Sequence, residues 1–385
     1  MLIVGIPKEI KPFEKRVGLT PEAVGRLASQ SIKVLIEQHA GLLSGYPNQD
    51  YEKQGAVIVR GADELYRNAD LIIKIKEPLA PEWPLLRKGQ VLFSFLHLAS
   101  QEHGPLVHQL CASGVTALAY ETVEVEGQIP ILAPMSAIAG ALAAAYAALF
   151  RTLNIGHAVR IVYPRNFILM MEKVAEDYPQ APKQLKLENV VVFGGGTAGT
   201  RAAEFALEMN GRVTIVEKNP ERRNRLQEKF SGAKNRPLVL AAEELTPMIL
   251  ADADVLIGCV HQAGCRAAIV VEAESLKTAS AGKKKLILDV SIDQGGNFND
   301  AHATFYADPL YLDSFGNLRF AVANMPSFCG RYASDAIAKV TLPYIEALAG
   351  GIPQALRKFP ELKGAINIRD GIVASEAVRT AHQLG

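Results

Sequence analysis

The sequence predicts an α/β protein made of two doubly wound parallel-sheet domains with a cleft between them. Three observations point there. Two separate series of short apolar runs alternate with amphipathic helical segments. An Ala-rich apolar segment lies between the two series, and the second series opens on a glycine cluster that directly follows a strand. Strand–helix alternation requires parallel neighbours joined by crossover helices, which cover both faces of a sheet. At 385 residues the chain is long enough for two cores of ordinary size.

In the first series the candidate strands are Leu2–Ile6, Val34–Ile36, Val57–Val59, Leu71–Ile75, Val91–Phe95 and Val115–Ala119. The first helix should open at Thr20-Pro21-Glu22: a capping hydroxyl, a proline preset for helical φ, and an acid near the positive helix end. The segment Ile138–Phe150 reads as a buried helix bridging the two series, too short for a membrane span. The second series runs through Val190–Phe193, Val213–Val216, Val255–Gly258 and Leu286–Val290. After Tyr332 the pattern is helical, punctuated by Pro343 and Pro353, and should return to the first domain.

Composition narrows the function. Forty-one basic residues against forty acidic ones leave no field to gather nucleic acid or an anionic membrane. The apolar start, Met1 to Ile6, is too short for a signal peptide. The four cysteines, 111, 259, 265 and 329, show neither paired spacing nor histidine partners, so no metal site is expected. Reduced thiols fit a cytoplasmic protein.

Val190-Val191-Val192-Phe193-Gly194-Gly195-Gly196-Thr197-Ala198-Gly199 is a strand running into G-x-G-x-x-G. Gly194 permits a sharp turn, Gly196 lets backbone approach a pyrophosphate, and Gly199 lets the next helix pack against the strand. The amides at Thr197 and Ala198 then point at the phosphates from the positive helix end. A second strand ends at Glu217, 23 residues after Gly194, where an acid accepts both ribose hydroxyls and repels a 2′-phosphate. NAD is therefore the expected cofactor. Lys218 and Arg222 complete the cofactor-binding candidates and pull in the other direction.

Ligands of open parallel sheets bind beyond the carboxyl ends of the strands. Arg16 follows the first strand, Lys74 and Lys76 close the fourth, His97 follows the fifth, and Asp293 follows Leu286–Val290. Each has a plainer reading: a surface ion pair for Arg16, a satisfied core histidine for His97, an Asx turn for Asp293. Lys74 and Lys76 would share one face of an apolar strand, which is costly unless an anion meets at least one of them. Jointly these residues supply cations for a carboxylate, Arg16 as a fork, and groups that move protons near neutral pH.

Several stretches resemble the alanine dehydrogenase/transhydrogenase N-terminal family, with alanine dehydrogenase nearest. They are Gly5–Glu9, Glu14–Pro21, Lys74–Pro78, Leu96–Ala99, Ala119–Val123, Leu132–Ser136, Ile292–Gly296 and Val322–Pro326, spread in order over nearly the whole chain. The resemblance implies NAD-dependent reversible oxidative deamination of a small L-amino acid, alanine first, to the oxo acid and ammonium. It makes His97 and Asp293 the catalytic pair. It gives Arg16, Lys76, Met135 and Asn324 to the substrate, and adds Ser136 and Met325 to the cofactor contacts. It also implies a homohexamer, and a substrate domain of residues 1–132 and 330–385 around a NAD-binding domain of residues 133–329. The chain departs from the family pattern at Ala137 and Ala141, which replace Glu and Arg, across 160–189, and at Cys259–Gly264.

Two other readings share these residues. One is reductive coupling of an amino acid with an oxo acid, as in saccharopine-type dehydrogenases, with the 160–189 segment widening the cleft. The other is a non-catalytic NAD(H)-binding module like the soluble part of transhydrogenase, which would have no use for a proton-moving pair such as His97 and Asp293.

Overall fold

A computed structural model describes residues 2–155, 163–261 and 266–384. Six strands come first: β1 (Val4–Ile6), β2 (Val34–Glu37), β3 (Val57–Val59), β4 (Leu71–Ile73), β5 (Val91–Ser94) and β6 (Thr116–Ala119). Seven follow: β7 (Asn189–Phe193), β8 (Arg212–Val216), β9 (Leu238–Leu240), β10 (Val255–Gly258), β11 (Leu286–Asp289), β12 (Leu310–Leu312) and β13 (Leu318–Phe320). Two more, β14 (Ile366–Arg369) and β15 (Ile372–Val373), close the chain's strand content among the described residues. The chain divides into two compact units, residues 1–135 with 327–385, and residues 136–326.

The first unit holds an eight-stranded sheet in the order β15-β14-β6-β5-β4-β1-β2-β3. From β3 to β6 every pairing is parallel; β14 runs antiparallel to β6, and β15 antiparallel to β14. Strand order reverses between β1 and β4, so the loops after these two strands diverge and open a crevice at their carboxyl ends. Val4, Ile6, Leu71, Ile72, Leu92 and Phe93 are all buried, as befits strands covered on both faces. The helix Pro21–Ser29 starts as its sequence implies, with the Thr20 hydroxyl accepting from the Ala23 amide and Glu22 in the first turn.

The second unit holds a seven-stranded sheet in the order β12-β13-β11-β10-β7-β8-β9, parallel except for β12 against β13. Its parallel part repeats the winding of the first unit, with the reversal between β7 and β10. The α/β class and the mostly parallel sheets agree with the sequence reading, and the differences are local.

Three strands, β4, β5 and β11, stop one or two residues short of their apolar runs, so Lys74 and Lys76 lie beyond β4 rather than on one face of it. The edge strands β9 and β12, and β13 beside β12, are three residues each, below what periodicity can distinguish. The tail is not wholly helical, because β14 and β15 extend the first sheet. The bridging helix runs Ala133–Thr152, longer than expected, and by length and composition alone could cross a membrane. Its residues Ala141–Phe150 are nevertheless buried at 4% exposure or less, as in a core helix.

Within 160–189 the described part contains a helix, Phe167–Glu176, that buries Phe167, Met171 and Ala175. Phe167 stacks near Tyr163 and Phe150, with ring centroids 4.9 and 5.5 Å apart. Residues 160–162 and 262–265, and with them Cys265, lie outside the described residues. Cys111, Cys259 and Cys329 form no disulfide among the described residues, and burial raises the pKa of each thiol.

Candidate active site

At the carboxyl ends of β1 and β4 the first unit gathers buried charge. Lys74 is fully buried, its Nζ 2.9 Å from Glu82 and 3.2 Å from Glu9. Burial opposes its charge, but the two carboxylates override that and hold its pKa above the ordinary lysine value. Burial pushes Glu9 the other way, up to about 7 against the pull of Lys74. The Glu9 carboxylate also accepts the Ile75 amide at 2.7 Å, so the segment between the two lysines is tied down. Lys74 thus has a structural role, and removing one member of such a buried set costs roughly 3–5 kcal/mol.

Lys76 is different. It is buried, yet the carboxylate it pairs with, Glu77, is 3.8 Å away, beyond hydrogen-bond reach. Burial works against the Glu77 carboxylate, but Lys76 and Lys11 outweigh it and pull the group down to about 2. Its Oε1 accepts from Lys11 at 2.7 Å, whereas Oε2 is buried without a hydrogen bond. An ammonium in this position retains capacity for an anionic ligand.

Arg16 is buried, and its fork is already engaged. Nε and Nη2 donate to Glu14 at 2.7 and 2.6 Å, while Nη1 faces the Met135 sulfur at 3.2 Å. Burial opposes its charge and Glu14 more than offsets that, raising the pKa. The bidentate geometry expected for a substrate carboxylate is therefore taken by Glu14, two residues away, which a turn closed by Glu14 N–H to the Lys11 carbonyl brings into place.

His97 follows β5 in a left-handed backbone, φ +48°, rather than sitting in the core. Its imidazole is 35% exposed and lies parallel to the Phe95 ring at 6.0 Å between centroids. Its carbonyl accepts from the Ser100 amide and meets His103 Nδ1 at 3.0 Å. Glu121, just past β6, accepts the His97 and Leu96 amides at 2.6 and 3.3 Å. Neither Glu14 nor Glu121 was singled out from sequence, although the rule of searching past strand ends reaches Glu121 as readily as His97.

In the second unit the glycine cluster has the geometry its spacing implies. Gly194 has φ +91°, and a Cβ on Gly199 would lie 1.8 Å from the Gly194 carbonyl oxygen. A Cβ on Gly196 would meet nothing within 4 Å, and Gly196 caps the helix Thr197–Glu208 without a side-chain bond. First-turn amides facing open space suit a pyrophosphate. Thr197 is exposed and Ala198 partly so.

Glu217 is buried at the end of β8. Its Oε2 accepts Gly195 N–H at 2.7 Å and pairs with Arg222 at 3.2 Å, and its Oε1 accepts Asn219 N–H at 2.8 Å. Oε2 thus accepts two bonds, whereas Oε1 keeps a further lone pair for a ribose hydroxyl. Lys218 is exposed. The set fits an adenine dinucleotide.

Asp293 is exposed in a short 3-10 turn, Ile292–Gln294, after β11. The turn is held by buried Asp289, which accepts the Ser291 and Asn297 amides at 3.1 and 2.7 Å. Asn324 has φ +68°, and the Met325 carbonyl accepts from Tyr306 at 2.8 Å. Ser136 is partly buried in the first turn of the bridging helix. Arg16, Lys76, His97 and Met135 thus share the first unit, and the remaining candidates belong to the second.

Fold and residues together describe an α/β protein with a glycine turn of dinucleotide-binding geometry and with buried cations and a histidine at its strand ends. Comparison with known proteins makes this specific. Residues 5–139 match the family model "Alanine dehydrogenase/PNT, N-terminal domain" and residues 183–376 the corresponding C-terminal domain. The chain belongs to the alanine dehydrogenase/PNT family. It is 36% identical to alanine dehydrogenase of Bacillus subtilis, covering 100% of this chain and 95% of that one. It is 35% identical to that of Methanococcus maripaludis, covering 100% and 97%. A solved L-alanine dehydrogenase superposes with a TM-score of 0.84 at 34% identity over 99% of both chains. A transhydrogenase from Sinorhizobium meliloti shares the fold, with a TM-score of 0.73 at 24% identity over 97% of this chain and 99% of that one.

Proposed function

We propose that the protein catalyses NAD-dependent, reversible oxidative deamination of a small L-amino acid, alanine first, giving the oxo acid and ammonium. The observation that carries this reading is the combination, in a member of this family, of a buried and under-partnered Lys76 with a half-exposed His97 on neighbouring strand ends. The Gly194–Gly199 turn and Glu217 would hold NAD, which would supply the acceptor for the hydride of the substrate Cα. Ser136 and Met325 are assigned to the same ligand, with Lys218 and Arg222 flanking its ribose.

The chain's own residues do the rest. Lys76 and the Met135 side of Arg16 hold the substrate carboxylate, fixing which face of Cα is presented. Oxidation leaves an imine, which is already electrophilic. His97 takes a proton from the water that adds to the imine carbon and returns it as ammonium leaves. Asp293 is the second proton-handling group, and Asn324 a substrate contact. Net, amino acid, NAD+ and water give oxo acid, ammonium, NADH and one proton. We further assign residues 1–132 with 330–385 to substrate and residues 133–329 to cofactor, and we read the enzyme as a cytoplasmic homo-oligomer, a hexamer by family.

The test is steady-state nicotinamide absorbance. With pyruvate and NADH, ammonium alone should support oxidation, and with NAD alanine should outrun the other common amino acids. NADH loss that requires a second amino acid in place of ammonium would instead mean reductive coupling. No turnover under any of these conditions would leave a binding module.

A further inference from the structure

We propose that Glu121 is the positioning residue of His97: its carboxylate holds the twisted backbone that aims the imidazole. The proposal rests on the assignment of His97 as proton-handling group made above. A left-handed backbone is unfavourable for a residue with a Cβ and persists only where the surroundings enforce it. A turn needing only that shape would take glycine or asparagine. At His97 the twist comes with a side chain that does chemistry, and the surroundings that enforce it are visible.

Glu121 Oε1 accepts the His97 amide at 2.6 Å, and Oε2 accepts the Leu96 amide at 3.3 Å. Both bonds are charge-assisted, and the carboxylate is 13% exposed, so water competes weakly. On the far side of the residue, the His97 carbonyl takes the Ser100 amide at 2.9 Å and meets His103 Nδ1 at 3.0 Å. Both ends of the His97 backbone are thereby fixed, and Phe95 limits the ring on one face.

The same Oε1 is 3.9 Å from His97 Nδ1, too far to bond, so the carboxylate acts on the His97 backbone and not on its ring. Glu121 comes from the end of β6, 24 residues along, so strand pairing of β5 with β6 is what delivers it. The arrangement would serve equally as a plain cap on the turn, so the test must read more than stability.

The variants are E121Q and E121A, each made in the wild-type and in the H97A background of the full chain. The readouts are kcat, KM for alanine and NADH affinity. E121Q keeps one oxygen for the His97 amide, and its kcat should fall about 10-fold or less. E121A should lose about 100-fold in kcat, within the range spanned by a misplaced acid–base group, with KM for alanine and NADH binding within about 3-fold. In the H97A background the same change should alter the residual rate less than about 2-fold, because residues acting as one unit are not additive.

Wild-type kcat in E121A, or an equal loss in both backgrounds, would overturn the proposal. If H97A itself turns over normally, the functional assignment fails instead, and the two failures are told apart by that single variant. Should E121A not fold, E121Q in the two backgrounds carries the same comparison.

Discussion

Asp289 shows how far one side chain shapes the second unit. Burial pushes its carboxyl up to about 6 from an ordinary 3.8, against the pull of the Asn297 and Ser291 amides and Arg319. A raised pKa means the folded chain binds this proton more tightly than the unfolded one. The contribution is therefore complete below pH 3.8 and disappears as pH rises through about 6. At about 1.4 kcal/mol per pH unit, the gap amounts to on the order of 3 kcal/mol. Asp289→Asn should accordingly show a flatter dependence of the urea midpoint on pH between 4 and 7 than the wild type. Identical slopes would show that Asp289 does not titrate there.

The residues most readily singled out from sequence were those with a chemical reason to stand alone at a strand end: Lys76, His97, Asp293 and Glu217. Their carboxylate partners were harder to see. Glu14 looked like an ordinary neighbour of Arg16, since nothing in a local pattern says that an acid two residues away will close the fork. Glu9 and Glu82 reach Lys74 only through folding, which is why Lys74 and Lys76 looked equivalent in sequence and differ so much in surroundings.

At the level of elements, the glycines of the second unit make distinct predictions. A Cβ on Gly140 of the bridging helix would stand 1.9 Å from the Ala198 carbonyl oxygen at the head of the helix Thr197–Glu208. Gly140→Ala should therefore push the two helices apart, costing about 1–3 kcal/mol even after the helix propensity gained. It should lower both Tm and NADH affinity. Gly196→Ala meets no protein atom within 4 Å, so Tm should stay within a degree or two while NADH binding collapses, the methyl occupying the place of the pyrophosphate. Differential scanning fluorimetry with and without NADH reads both, and equal behaviour of the two variants would contradict this division.

The G-x-G-x-x-G spacing revealed the second glycine's task and concealed Gly140, whose reason is a helix approaching from far away in sequence. Long alternating segments were likewise legible, whereas β9, β12 and β13 were too short and β14 lay in a helical-looking tail. There the antiparallel pairing with β6 outweighed local pattern.

On the scale of the whole molecule, two units with the same strand winding divide the work. Each reverses strand order between its first strand and its fourth; the candidate residues follow β1, β4 and β5 in the first unit and β7, β8 and β11 in the second. Under the proposed function the first carries Lys76, Arg16 and His97 for the substrate, and the second holds the dinucleotide and contributes Asp293 and Asn324. Ala137 and Ala141 leave small apolar side chains where the family carries charge, and Ala141 is fully buried; nothing in the structure explains that exchange.

The division of labour has a direct consequence: chemistry and cofactor binding should be separable by one substitution in the first unit. Measuring alanine-dependent NAD reduction and NADH affinity in His97→Ala tests this most directly. The account predicts kcat lower by about 10²–10⁴-fold, the span of general acid–base catalysis, with the NADH Kd within a few-fold of wild type. Undiminished turnover in that variant, or loss of NADH binding in step with turnover, would contradict it.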